Sequence, residues 1–320
     1  MENQNTKFLR MSSSPHVHTP ESTTKIMLDV VIALLPALVW GIFVFGIRAF
    51  FMTIVSVASC VLFEFVYRKL MRKSDTISDL SAVVTGVLLA FCLPVGMPYW
   101  TVVVGAFFAI VIVKQLYGGI GKNIVNPALA ARVFLFMSFS SQMSVYTPEK
   151  ADAVAAATPL ANLQQGIVPE QSLSDIVLGY IPGCIGEVSV TLLLLGGLYL
   201  LFKKVITWHI PVSFLLTVAV IAFIFPTGDF SGAEFALYQL CSGGLMLGAI
   251  FMATDYATSP VTKSGRIIYG IGCGLITMFI RYFGYPEGVS FAILIMNLFT
   301  LAIDKLTMPV KFGGGKRGAK

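Results

Sequence analysis

Charge is what this 320-residue chain has least of: only 12% of its residues are Asp, Glu, Lys or Arg, against about 25% in a soluble domain. That leaves too little polar surface to clothe a water-soluble globule of this size. Cysteine is sparse as well. Cys60, Cys92, Cys184, Cys241 and Cys273 stand singly in or beside apolar runs. With no CxxC and no Cys/His cluster, the spacing points away from iron–sulfur, zinc and disulfide frameworks and predicts no metal site. The cysteines read as small apolar packing residues. His16 and His18 lie in a polar leader and His209 beside an apolar run, so the three histidines form no ligand set. No glycine-rich nucleotide loop is present: Gly313-Gly314-Gly315-Lys316 follows no strand and opens no helix. The leader also lacks an apolar core of its own, so no cleaved signal peptide is expected.

Apolar runs are what the chain does have. Hydrophobic residues make up 56% of it, with 29 Gly and 25 Phe. The runs approach the roughly 20 residues that cross a bilayer as helix. Spans are predicted at 27–46, 49–67, 79–95, 99–116, 127–140, 184–202, 208–225, 237–253, 266–283 and 289–304. The expected fold is an all-α polytopic membrane protein of about ten helices. Ten spans put both termini on one side, which then holds 18 of the 22 Lys and Arg residues. Arg48, Lys150 and Arg281 fall on the other side, and Arg132 lies just inside the fifth span. Positive residues mark the cytoplasmic side, so both termini are expected in the cytoplasm and the 141–183 loop outside. The net charge of +6 is thereby explained by topology, and no nucleic-acid partner is implied.

Five spans per half force the halves to insert with opposite orientation. Each half carries a glycine-led apolar piece interrupted by proline: Gly86 to Pro94 in the first, Gly243 to Asp255 with Ser259-Pro260 in the second. Each also has a second proline-broken entry, Gly121 to Pro127 and Gly284 to Gly288. Paired interruptions predict an inverted repeat with discontinuous helices. The expected division is a polar leader 1–26, a first five-helix repeat 27–140, an external loop 141–183, a second repeat 184–304 and a basic tail 305–320.

Several ordered motifs then resemble one family. They are Ser13-Ser14-Pro15-His16, Ile26-Met27-Leu28-Asp29-Val30, Gly121-Lys122-Asn123-Ile124-Val125-Asn126-Pro127-Ala128, Phe251-Met252-Ala253-Thr254-Asp255 with Thr258-Ser259-Pro260, Gly265-Arg266-Ile267-Ile268-Tyr269-Gly270 and Tyr285-Pro286-Glu287-Gly288-Val289. The chain resembles the D subunits of Rnf ion-translocating electron-transport complexes, which are akin to the B subunits of sodium-pumping NADH:quinone reductases. Lacking the long N-terminal extension of the latter, it fits the Rnf members better. The resemblance implies a bacterial inner-membrane subunit, not catalytic alone, that works with the other subunits of the complex. That complex couples electron exchange between ferredoxin and NAD to Na⁺ or H⁺ movement, with NAD chemistry on a partner.

Asp152-Ala153-Val154-Ala155-Ala156-Ala157-Thr158 resembles the family's flavinylation motif, Asp-x-x-Ser/Thr-Gly-Ala-Thr, whose last Thr is esterified to the phosphate of FMN. Asp152, Ala157 and Thr158 match; Ala155 and Ala156 replace Ser/Thr and Gly. The resemblance thus implies covalent FMN on Thr158. Read from the residues alone, Thr158-Pro159 is a helix start, with Thr158 as cap and Pro159 first; both readings hold together. Charge inside a membrane marks function by default, and Glu64 and Glu187 look deepest in their spans, as candidates for an ion path. Asp29, Asp79 and Asp304 read as solvated or capping groups at span ends. Thr254, Asp255 and Thr258 cluster at a helix break, where they are placed to hold an ion or a second, non-covalent flavin (riboflavin). Tyr256 stands where the family has Pro. Two other readings stay open: a stand-alone channel or transporter, and the sodium-pump quinone-reductase subunit.

Overall fold

The computed structural model describes residues 22–309 apart from 75, 145–158, 168, 170, 171, 182, 188, 229 and 286. Among these residues there is no strand, only one antiparallel bridge between Pro94 and Cys184. The helices are α1 (Thr23–Phe45), α2 (Ile47–Leu70), α3 (Ser81–Phe91), α4 (Tyr99–Phe107, continued by π-helical turns Phe108–Gln115) and α5 (Pro127–Ser138). Three short helices follow: α6 (Ser140–Met143), α7 (Pro159–Gln164) and α8 (Leu173–Leu178). The second half holds α9 (Val190–Phe202), α10 (His209–Ile224), α11 (Gly232–Cys241), α12 (Leu245–Leu247, continued by a π-helical turn Gly248–Met252), α13 (Lys263–Phe283) and α14 (Val289–Thr307).

Apolar helix thus occupies each predicted span. Four helices, α1, α2, α13 and α14, are long and apolar enough to cross a membrane singly, or five crossings if the bent pair α11–α12 is one span. The molecule is an all-α polytopic membrane protein. Its exposed large side chains are those of a lipid-facing wall, such as Val39, Phe43, Phe202, Leu216, Phe279 and Leu301.

The shorter helices explain the interruptions. At 1.5 Å per residue, the 11-residue α3 spans roughly 16 Å, about half of a 30 Å hydrocarbon core. All of its residues except Val83 are buried, so protein rather than lipid covers its ends. Gly86 permits this: a Cβ there would come within 2.7 Å of Val57 Cα, and Ser56 Oγ donates to the Gly86 carbonyl at 2.7 Å.

The expected span 184–202 is corrected. Its first residues form a tight turn, Ile185–Glu187, and helix starts only at Val190. Gly186 is wedged there, where a Cβ would come within 2.5 Å of Phe91 and 2.8 Å of Leu247. The expected span 237–253 begins earlier, at Gly232, and bends by 67° between Cys241 and Leu245. Gly243 turns that corner at φ +70°, a conformation glycine adopts without steric cost.

Packing repeats between the halves. α2 lies on α3 and α4 as α10 lies on α11 and α13, while α1 meets α9 and α5 meets α14 across the middle. Small residues allow the close crossings, as in membrane helix pairs: Gly196 of α9 sits against the Ala33 carbonyl of α1, and Gly270 and Gly274 of α13 against Ser213 and Thr217 of α10.

Candidate functional site: two polar clusters around the half-helix α3

Backbone groups freed by the breaks need partners, because hydrocarbon offers none. Arg281 serves the α11–α12 corner. Its Nη1 donates to the Gln239 carbonyl and side chain, both at 2.7 Å, and its Nη2 to the Ser242 carbonyl at 3.2 Å. The sequence places it among the outward-facing loop charges, yet it is 3% exposed. Asn126 does the same for α12: Nδ2 donates to the Met252 carbonyl at 3.2 Å, while Oδ1 accepts from Ala128 and Leu129 and caps α5. At the tips of the two interrupted helices Cys92 Sγ lies 4.0 Å from Met252 Sδ.

The first cluster sits at the N-terminal end of α3. Lys114, from the end of the π-helical turns, donates to Glu64 Oε2 at 2.7 Å and to Ser81 Oγ at 2.6 Å. Thr76 closes the group by donating to Glu64 Oε1 at 2.8 Å. Glu64 and Lys114 are both buried, and Arg68 beside them donates to Gln115 at 3.3 Å. By sequence, Lys114 and Arg68 count with the surface charges that set topology; in the fold both are interior.

Beside this pair opens a cleft of about 800 Å³, its mouth included. One wall is apolar, from Met27, Val30, Leu88, Ile206 and Phe251; the polar residues are Lys114, Ser81, Thr85, Asn123, Asn126, Thr254, Asp255 and Tyr256. Asp255 follows the π-helical turn and accepts from Thr258 Oγ1 at 3.2 Å. Thr258 itself is buried behind the cleft, its carbonyl taken by Thr300. The Thr254 hydroxyl is held on the Ile250 carbonyl at 2.6 Å. Thr254 and Asp255 therefore line the cleft, with Thr258 supporting them from beneath.

The second cluster lies beyond the C-terminal end of α3. Arg132 of α5 pairs with Glu287, and its Nη2 is 3.8 Å from Glu187 Oε1 and 3.9 Å from Cys184 Sγ. Glu187 folds back over its own turn so that Oε2 accepts from the Cys184 amide at 3.4 Å. Gly183 makes room, since a Cβ there would come within 2.7 Å of that oxygen. Glu64 and Glu187 thus occupy separate clusters.

Thr158 lies outside the described residues. The helix after it, α7, begins at Pro159, and Leu160 is buried beside the α11–α12 corner, 3.0 Å from where a Gly243 Cβ would stand. Of the acidic residues read as solvated or capping, Asp79 accepts from Ser81 N and Oγ, and Asp304 from the Val261 amide. Asp29 is corrected: it is buried, not solvated, and accepts from Tyr199 Oη at 2.7 Å. Ser81, Lys114, Asn123, Arg132 and Glu287 join the clusters although sequence alone assigns none of them to a site. For Arg132 a signal exists: it is a cation within an apolar run.

Comparison with known proteins identifies the family. The D subunit of the Na(+)-translocating ferredoxin:NAD(+) oxidoreductase complex of Acetobacterium woodii is 50% identical over 311 residues, 95% of each chain. The D subunit of the proton-translocating ferredoxin:NAD(+) oxidoreductase complex of Clostridium ljungdahlii is 44% identical, covering 95% of this chain and 96% of that one. The D subunit of an ion-translocating oxidoreductase complex of Stutzerimonas stutzeri is 39% identical over 93% and 94%. A profile described as the NQR2, RnfD, RnfE family matches residues 10–313, and the chain belongs to that family.

Proposed function

We propose that this chain is the flavin-bearing D subunit of an Rnf-type complex, coupling electron transfer between ferredoxin and NAD to Na⁺ or H⁺ translocation, with the other subunits as partners. The near-full-length similarity to two D subunits of ferredoxin:NAD(+) oxidoreductase complexes is the observation that carries this reading. It also favours the Rnf role over a stand-alone channel or a quinone reductase. Both termini lie in the cytoplasm and the Thr158 loop outside, an arrangement supported by the distribution of Lys and Arg. The two halves are then inverted in the bilayer.

Thr158 is the attachment point of FMN through a phosphoester. The cleft beside α3 is suited to a second, non-covalent flavin. Its apolar wall matches the faces of a flat heteroaromatic ring, while Asn123 and Asp255 offer a donor and an acceptor for a polar ring edge. A bound flavin supplies one- and two-electron chemistry; the chain's residues hold it, orient it and limit water around it. Glu64 and Glu187, one at each end of α3, are the carboxylates of the ion path.

The test is Thr158→Ala. In-gel flavin fluorescence of the denatured chain and the mass of the Thr158 peptide are both expected to revert to the unmodified state, with loss of ion-coupled electron flow in the complex. Unchanged flavin on the denatured variant would assign the attachment elsewhere.

A further inference from the structure

Three ligand atoms meet at the second cluster: Cys184 Sγ and one carboxylate oxygen each from Glu187 and Glu287, all within 4.8 Å of one another. Sequence spacing could not reveal this set, because Glu287 lies a hundred residues from the other two. Glu187 is only 6% exposed, and its Oε1 takes no hydrogen bond among the described residues. A buried carboxylate oxygen without a donor is costly unless a cation answers it. The Arg132 guanidinium partly does so, from 3.8 Å, longer than a hydrogen bond. The same nitrogen stands 3.9 Å from the Cys184 sulfur and reaches Glu287. One guanidinium nitrogen therefore occupies the point on which a thiol and two carboxylates converge.

We propose that Cys184, Glu187 and Glu287 form a binding site for a thiophilic divalent cation of the zinc class, for which Arg132 is the built-in competitor. One sulfur and two carboxylate oxygens are ligands such ions accept, leaving a fourth tetrahedral position for water. Bonds of 2.0–2.3 Å put tetrahedral ligand atoms roughly 3.5 Å apart, so the set contracts by about an ångström on binding. Glu287 permits this, because its side chain is one-quarter exposed and not locked in the core. That same exposure gives the ion its entry. Glu187 and Cys184 are already held at a fixed spacing by the Cys184 amide bond and the tight turn. Coordination releases the Cys184 thiol proton to water and requires Arg132 to swing out of the convergence point. The site is independent of any flavin on Thr158 or beside Asp255, but it shares Glu187 with the ion path proposed above, so a cation bound here occupies that carboxylate.

Cd²⁺ is the probe, because thiolate coordination gives it an ultraviolet charge-transfer band. The full chain in detergent, desalted after exposure, is expected to retain stoichiometric Cd²⁺ with that band. Bound Cd²⁺ is expected to slow alkylation of Cys184 but not of Cys60, read residue by residue by mass spectrometry. Cys184→Ser removes the band and the bound ion. Glu287→Gln weakens binding by more than roughly 10-fold, the floor set by changes one shell further out. Arg132→Gln lowers the Kd by on the order of tenfold, the scale on which a neighbouring charge moves an equilibrium. Because that variant gains binding, misfolding cannot imitate it. Equal Cd²⁺ retention by wild type and Cys184→Ser, or unchanged alkylation of Cys184 with Cd²⁺ present, would overturn the proposal.

Discussion

The ammonium of Lys114 stands 2.7 Å from Glu64 Oε2, with the two side chains 3% and 1% exposed. The residues are fifty positions apart, on α4 and α2, and Ser81 ties them to the start of α3. Removing one member of such a pair strands the other, which costs about 3–5 kcal/mol, whereas replacing both by apolar groups can be neutral. Lys114→Met is therefore expected to lower the melting temperature in detergent sharply, and Lys114→Met with Glu64→Leu to recover most of the loss. A double variant no more stable than the single one would show that the pair does not act as a unit.

Asp255 and Asn123 bear on the second flavin. Asp255→Asn and Asn123→Ala are expected to reduce acid-extractable flavin while leaving fluorescence of the denatured chain unchanged. The two flavins are thereby separated, since Thr158→Ala affects the reverse pair of signals. Extractable flavin at wild-type levels in both cleft variants would remove it from this cleft.

Asn126 has two structural tasks, capping α5 and holding the Met252 carbonyl. Loss of a cap costs about 1 kcal/mol, and an unanswered buried carbonyl about 1–3 kcal/mol more. Asn126→Ala is expected to destabilise the chain by the sum, measured by thermal denaturation in detergent. Asn126→Asp keeps the cap but not the donor, and should fall between.

Gly86 and Gly121 make a matched contrast. A Cβ at Gly86 meets the α2 backbone at 2.7 Å, while none of the surrounding atoms comes within 4 Å of one at Gly121, where φ is +78°. Gly86→Ala must push two helices apart, at a cost of about 1–3 kcal/mol. Gly121→Ala carries only the left-handed backbone penalty of about 1–2 kcal/mol. Gly86→Leu should then be far worse than Gly86→Ala, whereas Gly121→Leu should resemble Gly121→Ala. Equal sensitivity to side-chain size at both positions would contradict the α2–α3 contact.

These residues also show what is legible in the sequence. Apolar runs place helix within each of the ten expected segments, but do not give its length. Among the described residues only four helices, or five with the bent pair α11–α12, are long enough to cross a membrane, and the short α6, α7 and α8 carry no such run. Glu64 and Glu187 are buried, as carboxylates in or beside apolar runs must be to avoid lipid, although Glu187 stands on a turn and not in the helix expected there. Their partners are not legible. Lys114 and Arg281 look like loop charges because each ends an apolar run, and only the fold shows them turned inward. The convergence of Cys184, Glu187 and Glu287 depends on bringing the start of α9 beside the start of α14, which no local pattern encodes. Thr158 is reached through a motif alone, because neither apolar periodicity nor helix breaks mark a hydroxyl for esterification.

α3 has a consequence for how the protein is made. A segment half the bilayer's depth, with almost no side left for lipid, gains little by partitioning from the translocation channel on its own. Its tip is closed by Gly186 and Leu247, residues synthesised much later than Phe91. Helices α1, α2, α4 and α5 of the first half already pack along α3, but its tip stays open until the second half emerges. In a product stalled between the halves, α3 would therefore lack only the cover that Gly186 and Leu247 give its end.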